Sequence, residues 1–273
     1  MSRYLWRSAM SADWDAKQYL RYAEERIRPL NELLARVPEL PPRPTVLDLG
    51  CGPGNSTAVL RRRWPEARLL GLDTSPALLE TARTTGEPRA EYRLQDVTAY
   101  DPAPERPDLI ASNAALHWMD TPTADHLALL PRWAAALRPG GVIAFQLPGN
   151  FAAPSHTLLA ELRHGARWRE RLGTVRPDAS CHAPARYLEA LMAAGCTADV
   201  WETTYLTVLQ GPDPVLEWVK GSALRPVLER LPDPAEQREF LADYGALLRE
   251  AYPATEHGTV FPFRRVFAVA VRN

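Results

Sequence analysis

The residues of this 273-residue chain with the plainest chemical potential are the stretch Thr45 to Gly54, which reads TVLDLGCGPG, and a set of polar residues that follow it at intervals. Gly50, Gly52 and Gly54 alternate directly after an apolar run and directly before a helical pattern. Glycine lacks a Cβ, so it adopts the dihedrals of a tight strand-to-helix turn and lets a ligand approach backbone N–H groups. Such a turn suits a nucleotide-like cofactor. Asp48 precedes the glycines, and Asp73, Asp96 and Asn113 each close a later apolar segment. Aspartate and asparagine after a strand are also common turn formers, so Asp96 or Asn113 alone carries little weight. The set, together with the glycine turn, carries the argument.

Two cofactors compete for this turn. A dinucleotide-binding turn wants G-x-G-x-x-G, and the third glycine would fall at Asn55; the spacing here is G-x-G-x-G. That spacing favours S-adenosylmethionine. Asp73, with Thr74 beside it, then faces the ribose hydroxyls, since a carboxylate accepts from both. Asp96 accepts from the adenine amine, the Val97 backbone N–H serves the ring, and Asn113 joins them from the fourth strand. Asp48 and the first loop hold the cationic methionine end. Cys51, inside the turn, fills space.

These residues need a scaffold that gathers them. Strands are expected at Thr45 to Leu49, Arg68 to Asp73, Ala90 to Leu94, Pro107 to Ser112 and Val142 to Leu147. Between them lie helices at about Ser56 to Trp64, after Ser75 and Pro76 as cap and first-turn residue, and from Asp125 to Leu137, stopped by Pro139, Gly140 and Gly141. This alternation predicts a doubly wound, mainly parallel α/β sheet. Ligands of such sheets sit beyond the strand carboxyl ends, where strand order reverses, and the polar residues fall there.

Before the first strand, Trp14 to Val37 reads as a helix that Pro29 breaks or kinks, followed by the linker Leu40 to Pro44. Residues 1 to 12 have no strong pattern, and Met10 is a second candidate start. After Pro148 come helix and loop over 151 to 182, a helix over 184 to 195, and two strands, Thr197 to Leu209 and Arg264 to Val271, expected to pair antiparallel at one edge. They enclose a helical insertion, 213 to 252, too long for a turn. We therefore expect one domain over 1–273, with a sheet core at about 41–150, 183–210 and 260–273 and a helical lid at about 14–38, 151–182 and 211–259.

Composition narrows the classes. Hydrophobic residues at 46% and charged residues at 24% fit a globular protein, and a net charge of −1 lacks the basic footprint of a nucleic-acid partner. Of 32 basic residues only Lys17 and Lys220 are lysine, so a lone arginine is weak support for anion binding. Cys51, Cys181 and Cys196 show no metal-ligand spacing, which suits a reduced cytoplasmic compartment and no metal. No run approaches the roughly 18 apolar residues of a membrane span, and the first residues lack a basic-then-apolar signal pattern. The expected partner is a small molecule, with no nucleic acid and no membrane, bound by a cytoplasmic monomer or homodimer.

Through YLRYAEERIRP, LDLGCGPGNST, LGLDTSPALLETAR, ASNAALHW, WETTYL and the LRP before Val227, the chain resembles the class I S-adenosylmethionine-dependent methyltransferases and, more closely, the trans-aconitate methyltransferase family. The glycine motif identifies only the superfamily; DLGCGPGNST, NAALHW and LRP in order make the narrower match. The resemblance implies a Rossmann-like, seven-stranded, mainly parallel sheet with an antiparallel last strand. It also implies methyl transfer to one carboxylate of a small polycarboxylic acid, giving a monomethyl ester. His117 before Trp118 departs from the family's glutamine.

A sulfonium donor needs an electron-rich acceptor about 3 Å from its methyl carbon. A carboxylate is already ionised at pH 7, so no general base is required, and alignment with exclusion of water does the catalysis. His117 and Trp118 are the candidates nearest the reacting groups. An acceptor with three negative charges calls for guanidinium forks, for which Arg225, Arg264 and Arg265 are candidates, with His182 and Tyr205 as further contacts. Open alternatives are methylation of another hydroxyl, amine or carbon, a protein that binds S-adenosylmethionine without turnover, and a nicotinamide-dependent oxidoreductase.

Overall fold

A computed structural model describes residues 23–119, 125–173, 175, 181–221 and 223–273. Tyr19, Tyr22 and the first twelve residues lie outside the described residues, as does the expected helix start at Trp14. The chain divides into two compact units. Of the described residues, the larger contains 26–119, 125–148, 181–203 and 265–273, and the smaller contains 23–25, 149–173, 175, 204–221 and 223–264.

The larger unit is an α/β sheet built from β1 (Thr45–Leu49), β2 (Arg68–Asp73), β3 (Glu91–Leu94), β4 (Leu109–Asn113), β5 (Val142–Pro148) and the parts of β6 (Cys196–Leu209) and β8 (Gly258–Arg272) that belong to it. Its strand order is β3-β2-β1-β4-β5-β8-β6. β3, β2, β1, β4 and β5 pair in parallel, and β8 runs antiparallel to β5 from Pro148↔Arg265 to Val142↔Val271. Strand order therefore reverses between β1 and β4.

The central strands read as near-continuous apolar runs because both of their faces are covered. Leu47, Leu49, Leu70, Leu72, Ile110, Ile143 and Phe145 are all buried in one cluster with Trp133, Tyr187 and Leu191. The helices in this unit are α1 (Ala23–Ala35), α2 (Asn55–Arg63), α3 (Pro76–Thr85), α4 (Leu129–Ala136) and α7 (Pro184–Ala193). Ser75 caps α3 by accepting from the Leu78 N–H at 3.3 Å, with Pro76 in the first turn, as the sequence indicates.

Three expectations shift. α1 continues through Pro29, with Leu30, Leu33 and Leu34 buried, so packing outweighs the donor that proline lacks. The helix expected from Asp125 begins as a 3-10 turn, His126–Ala128, which Asp125 caps through the Leu127 N–H at 2.8 Å. The last strand starts at Gly258, because its first residues pair with the two-residue β7 (Ala254–Thr255).

The smaller unit is mainly helical: α5 (Pro154–His164), α6 (Arg169–Leu172), α8 (Pro214–Lys220), α9 (Arg225–Leu228) and α10 (Pro234–Ala251). The insertion expected to be helical holds three helices among its described residues, and Asp233 caps the longest through the Ala235 N–H at 2.8 Å. An aromatic core of Trp168, Trp218, Phe240, Tyr244, Tyr252 and Phe261 holds it, with the Trp168 and Phe240 rings 5.2 Å apart edge to face.

Candidate active site

The turn after β1 is shaped by its glycines. Gly50, Gly52 and Gly54 have φ of 79°, 54° and 90°, in the left-handed region that L side chains rarely occupy. A Cβ at Gly50 would lie 2.3 Å from the Ala115 Cβ, so the loop after β1 can approach the loop after β4 only because Gly50 has none. At Gly52 a Cβ would meet nothing within 4 Å, which leaves open space over that backbone. Cys51 packs where Gly71 makes room, since a Cβ on Gly71 would stand 2.9 Å from the Cys51 Sγ. Its thiol is pushed up by burial, as expected of a space-filling side chain.

The carboxylates organise the rest. Asp48 is fully buried, and its Oδ2 accepts from Ser56 Oγ at 2.7 Å and Thr57 Oγ1 at 2.6 Å. Its Oδ1 is buried without a hydrogen-bond partner among the described residues. Burial raises the Asp48 pKa to about 6, against the two hydroxyls that lower it, with a smaller push from Asp73. Asp73 bolts the glycine turn to β2: its Oδ2 accepts from the Gly52 N–H at 2.9 Å and its Oδ1 from the Ser75 N–H at 2.9 Å. Burial raises its pKa too, opposed by the N–H groups of Ser75, Gly52 and Thr74.

At the end of β3, the Gln95 N–H donates to the Asp73 carbonyl at 2.9 Å. Asp96 Oδ1 accepts from the N–H and hydroxyl of Thr98 at 2.8 and 2.7 Å, the bonding of a turn former, while Val97 is buried. Asn113 closes β4, with Oδ1 accepting from Gln146 Nε2. The strand order sets the carboxyl ends of β3, β2, β1 and β4 side by side, and Asp73 joins the glycine turn directly. Beyond Asn113, Ala114 has a φ of 54°, and the short turn Leu116–Trp118 carries a buried His117 and a Trp118 that is 46% exposed, their rings 4.8 Å apart.

The remaining candidates divide between the two units. In the larger unit, His182 holds Asp125 Oδ1 through Nε2 at 2.9 Å, beside a buried His126 whose Nε2 meets the Tyr187 hydroxyl at 2.8 Å. Arg265 is buried and donates to Gln146 Oε1 at 2.8 Å. In the smaller unit, Arg264 donates to the Gly149 carbonyl at 2.7 Å, Arg225 pairs with Glu229 at 3.0 Å, and Tyr205 is buried on β6.

Two residues were missed in the sequence. Gln146 stands in the apolar strand VIAFQLP, and a polar residue inside such a run is the signal that marks it. Asn150 follows Gly149 and is buried, with neither amide atom hydrogen-bonded among the described residues. No helix among the described residues is long and apolar enough to cross a membrane.

An unpartnered buried carboxylate oxygen, an open glycine turn at a helix start and acids at successive strand ends fit a cationic, ribose-bearing cofactor. Fold and site together define a class I S-adenosylmethionine-dependent methyltransferase. Residues 46–141 match the family model described as a methyltransferase domain. Solved structures agree in fold: the YcgJ protein of Bacillus subtilis (TM-score 0.58, 12% identity, covering 90% of this chain and 98% of that one) and the plantazolicin methyltransferase BpumL in complex with SAH (TM-score 0.51, 13% identity, 98% and 93%).

Trans-aconitate 2-methyltransferase of Streptomyces avermitilis is 56% identical over 94% of this chain and 96% of its own length, and that of Streptomyces coelicolor 52% identical over 96% and 88%. The chain belongs to the trans-aconitate 2-methyltransferase family.

Proposed function

We propose that this protein transfers the methyl group of S-adenosylmethionine to a carboxylate oxygen of trans-aconitate, giving a monomethyl ester. What carries the reading is the near full-length likeness to relatives of that name, at 56% and 52% identity.

The cofactor, when bound, supplies an electrophilic methyl on a sulfonium. Asp48 offers its unpartnered oxygen to the cationic amino-acid end, and Ser56 and Thr57 keep that carboxylate in place. The Gly50–Gly54 turn, with Cys51 as filler, gives backbone access; Asp73 with Thr74 takes the ribose hydroxyls on its remaining lone pairs. Asp96 and the Val97 N–H serve the adenine, and Asn113 offers its amide.

The bound cofactor would supply its methyl to an oxygen lone pair of the acceptor carboxylate, with the C–S bonding pair left on sulfur. A carboxylate acceptor is already ionised at pH 7, so the transfer would need no general base. Opposite charges cancel along this path, so a dry site favours it. Arg225 and Arg264 hold the carboxylates that are not methylated, with Tyr205 as a further contact; His117 and Trp118 lie closest to the reacting groups. Incubation with S-adenosylmethionine and a panel of di- and tricarboxylates, followed by mass spectrometry, tests the reading. A methyl ester of trans-aconitate is expected; turnover of every acid except trans-aconitate overturns it.

A further inference from the structure

Arg265, Gln146 and Asn113 form a line of polar groups across three neighbouring strands of the larger unit, the first two buried and Asn113 half-buried. Gln146 pairs with Asn113 on β4 and with Phe267 on β8, which puts Arg265, two residues before Phe267, diagonal to Gln146 on the same sheet face. Gln146 is 1% exposed and Arg265 7%. Arg265 Nη1 donates to Gln146 Oε1 at 2.8 Å, and Gln146 Nε2 donates to Asn113 Oδ1.

A side-chain amide in isolation can turn either way, exchanging its donor for its acceptor. A guanidinium cannot accept, so the end of Gln146 that faces Arg265 must be its oxygen. The amine end then faces Asn113 and must find an oxygen there. Asn113 is consequently left with its Nδ2 as the group it offers at the carboxyl end of β4.

We propose that Arg265 is a positioning residue that sets the hydrogen-bond polarity of the strand-end site: through Gln146 it holds Asn113 as a donor toward a carboxylate oxygen of the bound ligand. This rests on the reading that Asn113 borders the ligand. The carboxylate belongs either to the amino-acid end of the cofactor or to the acid acceptor, and the two arms of the experiment separate them. A donor aimed at an ionised acceptor is worth more than one aimed at a neutral group. Arg265 thus contributes to ligand recognition without touching the ligand.

The decisive variant is Gln146→Glu. Its carboxylate still accepts from Arg265, and the new ion pair keeps the fold, but it has no donor left for Asn113. Asn113 then turns its Nδ2 to the introduced carboxylate and presents an oxygen to the ligand. The arms are calorimetric affinity for S-adenosylhomocysteine and the KM for trans-aconitate. We expect one of them to weaken by about 10- to 100-fold in Gln146→Glu, with the melting temperature held.

Arg265→Met should produce the same loss in the same arm, and Arg265→Lys, which still only donates, should recover part of it. Asn113→Ala calibrates the arm. If Asn113→Ala weakens an arm and Gln146→Glu leaves both at wild-type values, the relay is wrong. If Asn113→Ala itself changes neither arm, the placement of Asn113 beside the ligand is wrong, and the proposal falls with it.

Discussion

The strand-end turn of the larger unit and the candidate arginines of the smaller unit hold their polar groups in opposite ways. Around β1 the chemistry is local and cooperative. Asp48 is gripped by Ser56 and Thr57 within nine residues, and Asp73 ties the Gly52 N–H and Ser75 N–H to one carboxylate. In the smaller unit the candidate cations hold to groups near them, Arg225 to Glu229 and Arg264 to the Gly149 carbonyl. The difference teaches that a site for a constant ligand is written as a contiguous motif, because backbone geometry does the binding. A site for a variable ligand is written as scattered side chains.

The contrast breaks most easily at Gly50. Gly50→Ala places a Cβ against Ala115 in a left-handed backbone, so we expect cofactor affinity to fall at least about 100-fold with a clear loss of melting temperature. Gly52→Ala meets open space, and its cost should be the backbone strain alone, about 1–2 kcal/mol. Equal losses in the two variants would show that the turn is not shaped by the Gly50 contact. Calorimetry with S-adenosylhomocysteine and thermal melts give both numbers.

The second test works on the scattered cations. Arg264→Ala and Arg225→Ala should each raise the KM for trans-aconitate by about 10- to 100-fold, the worth of a hydrogen bond to a charged group, while cofactor affinity stays within about threefold. A matching fall in cofactor affinity would erase the division of labour between the two regions.

The third and smallest effect is a pH dependence. Asp48 titrates near 6, raised by burial, so it is partly protonated in mildly acidic solution. A cationic ligand binds the carboxylate form, hence affinity for S-adenosylmethionine should rise from pH 5 toward about pH 7 and then level off. Asp48→Asn should flatten this profile. The sign for the cofactor-free protein is reversed: with a folded pKa above the unfolded one, the contribution of Asp48 to stability is full below the unfolded value of 3.8 and is lost as pH rises through about 6.

How much of this was legible follows from the same contrast. β2 lies where the apolar run Arg68 to Asp73 puts it, and the glycine turn, Asp73 and the Ser75 cap are local features that a linear sequence displays. The final strand was underestimated because its first residues owe their conformation to pairing with Ala254 and Thr255, a hairpin that Pro262 disguises. The relay through Gln146 was invisible because it joins residues 33 and 119 positions apart, and no local spacing announces such a line. Pro29 does not break the first helix, since three buried leucines just after it anchor the helix.

The central claim is that the acceptor atom is a carboxylate oxygen, and the fate of the transferred methyl tests it most directly. After incubation with trans-aconitate and S-adenosylmethionine labelled in its methyl group, the label should move to the acid and then be released as methanol by mild alkali, because an ester saponifies. Label that stays on the product through alkali would place the methyl on carbon, and would contradict the account.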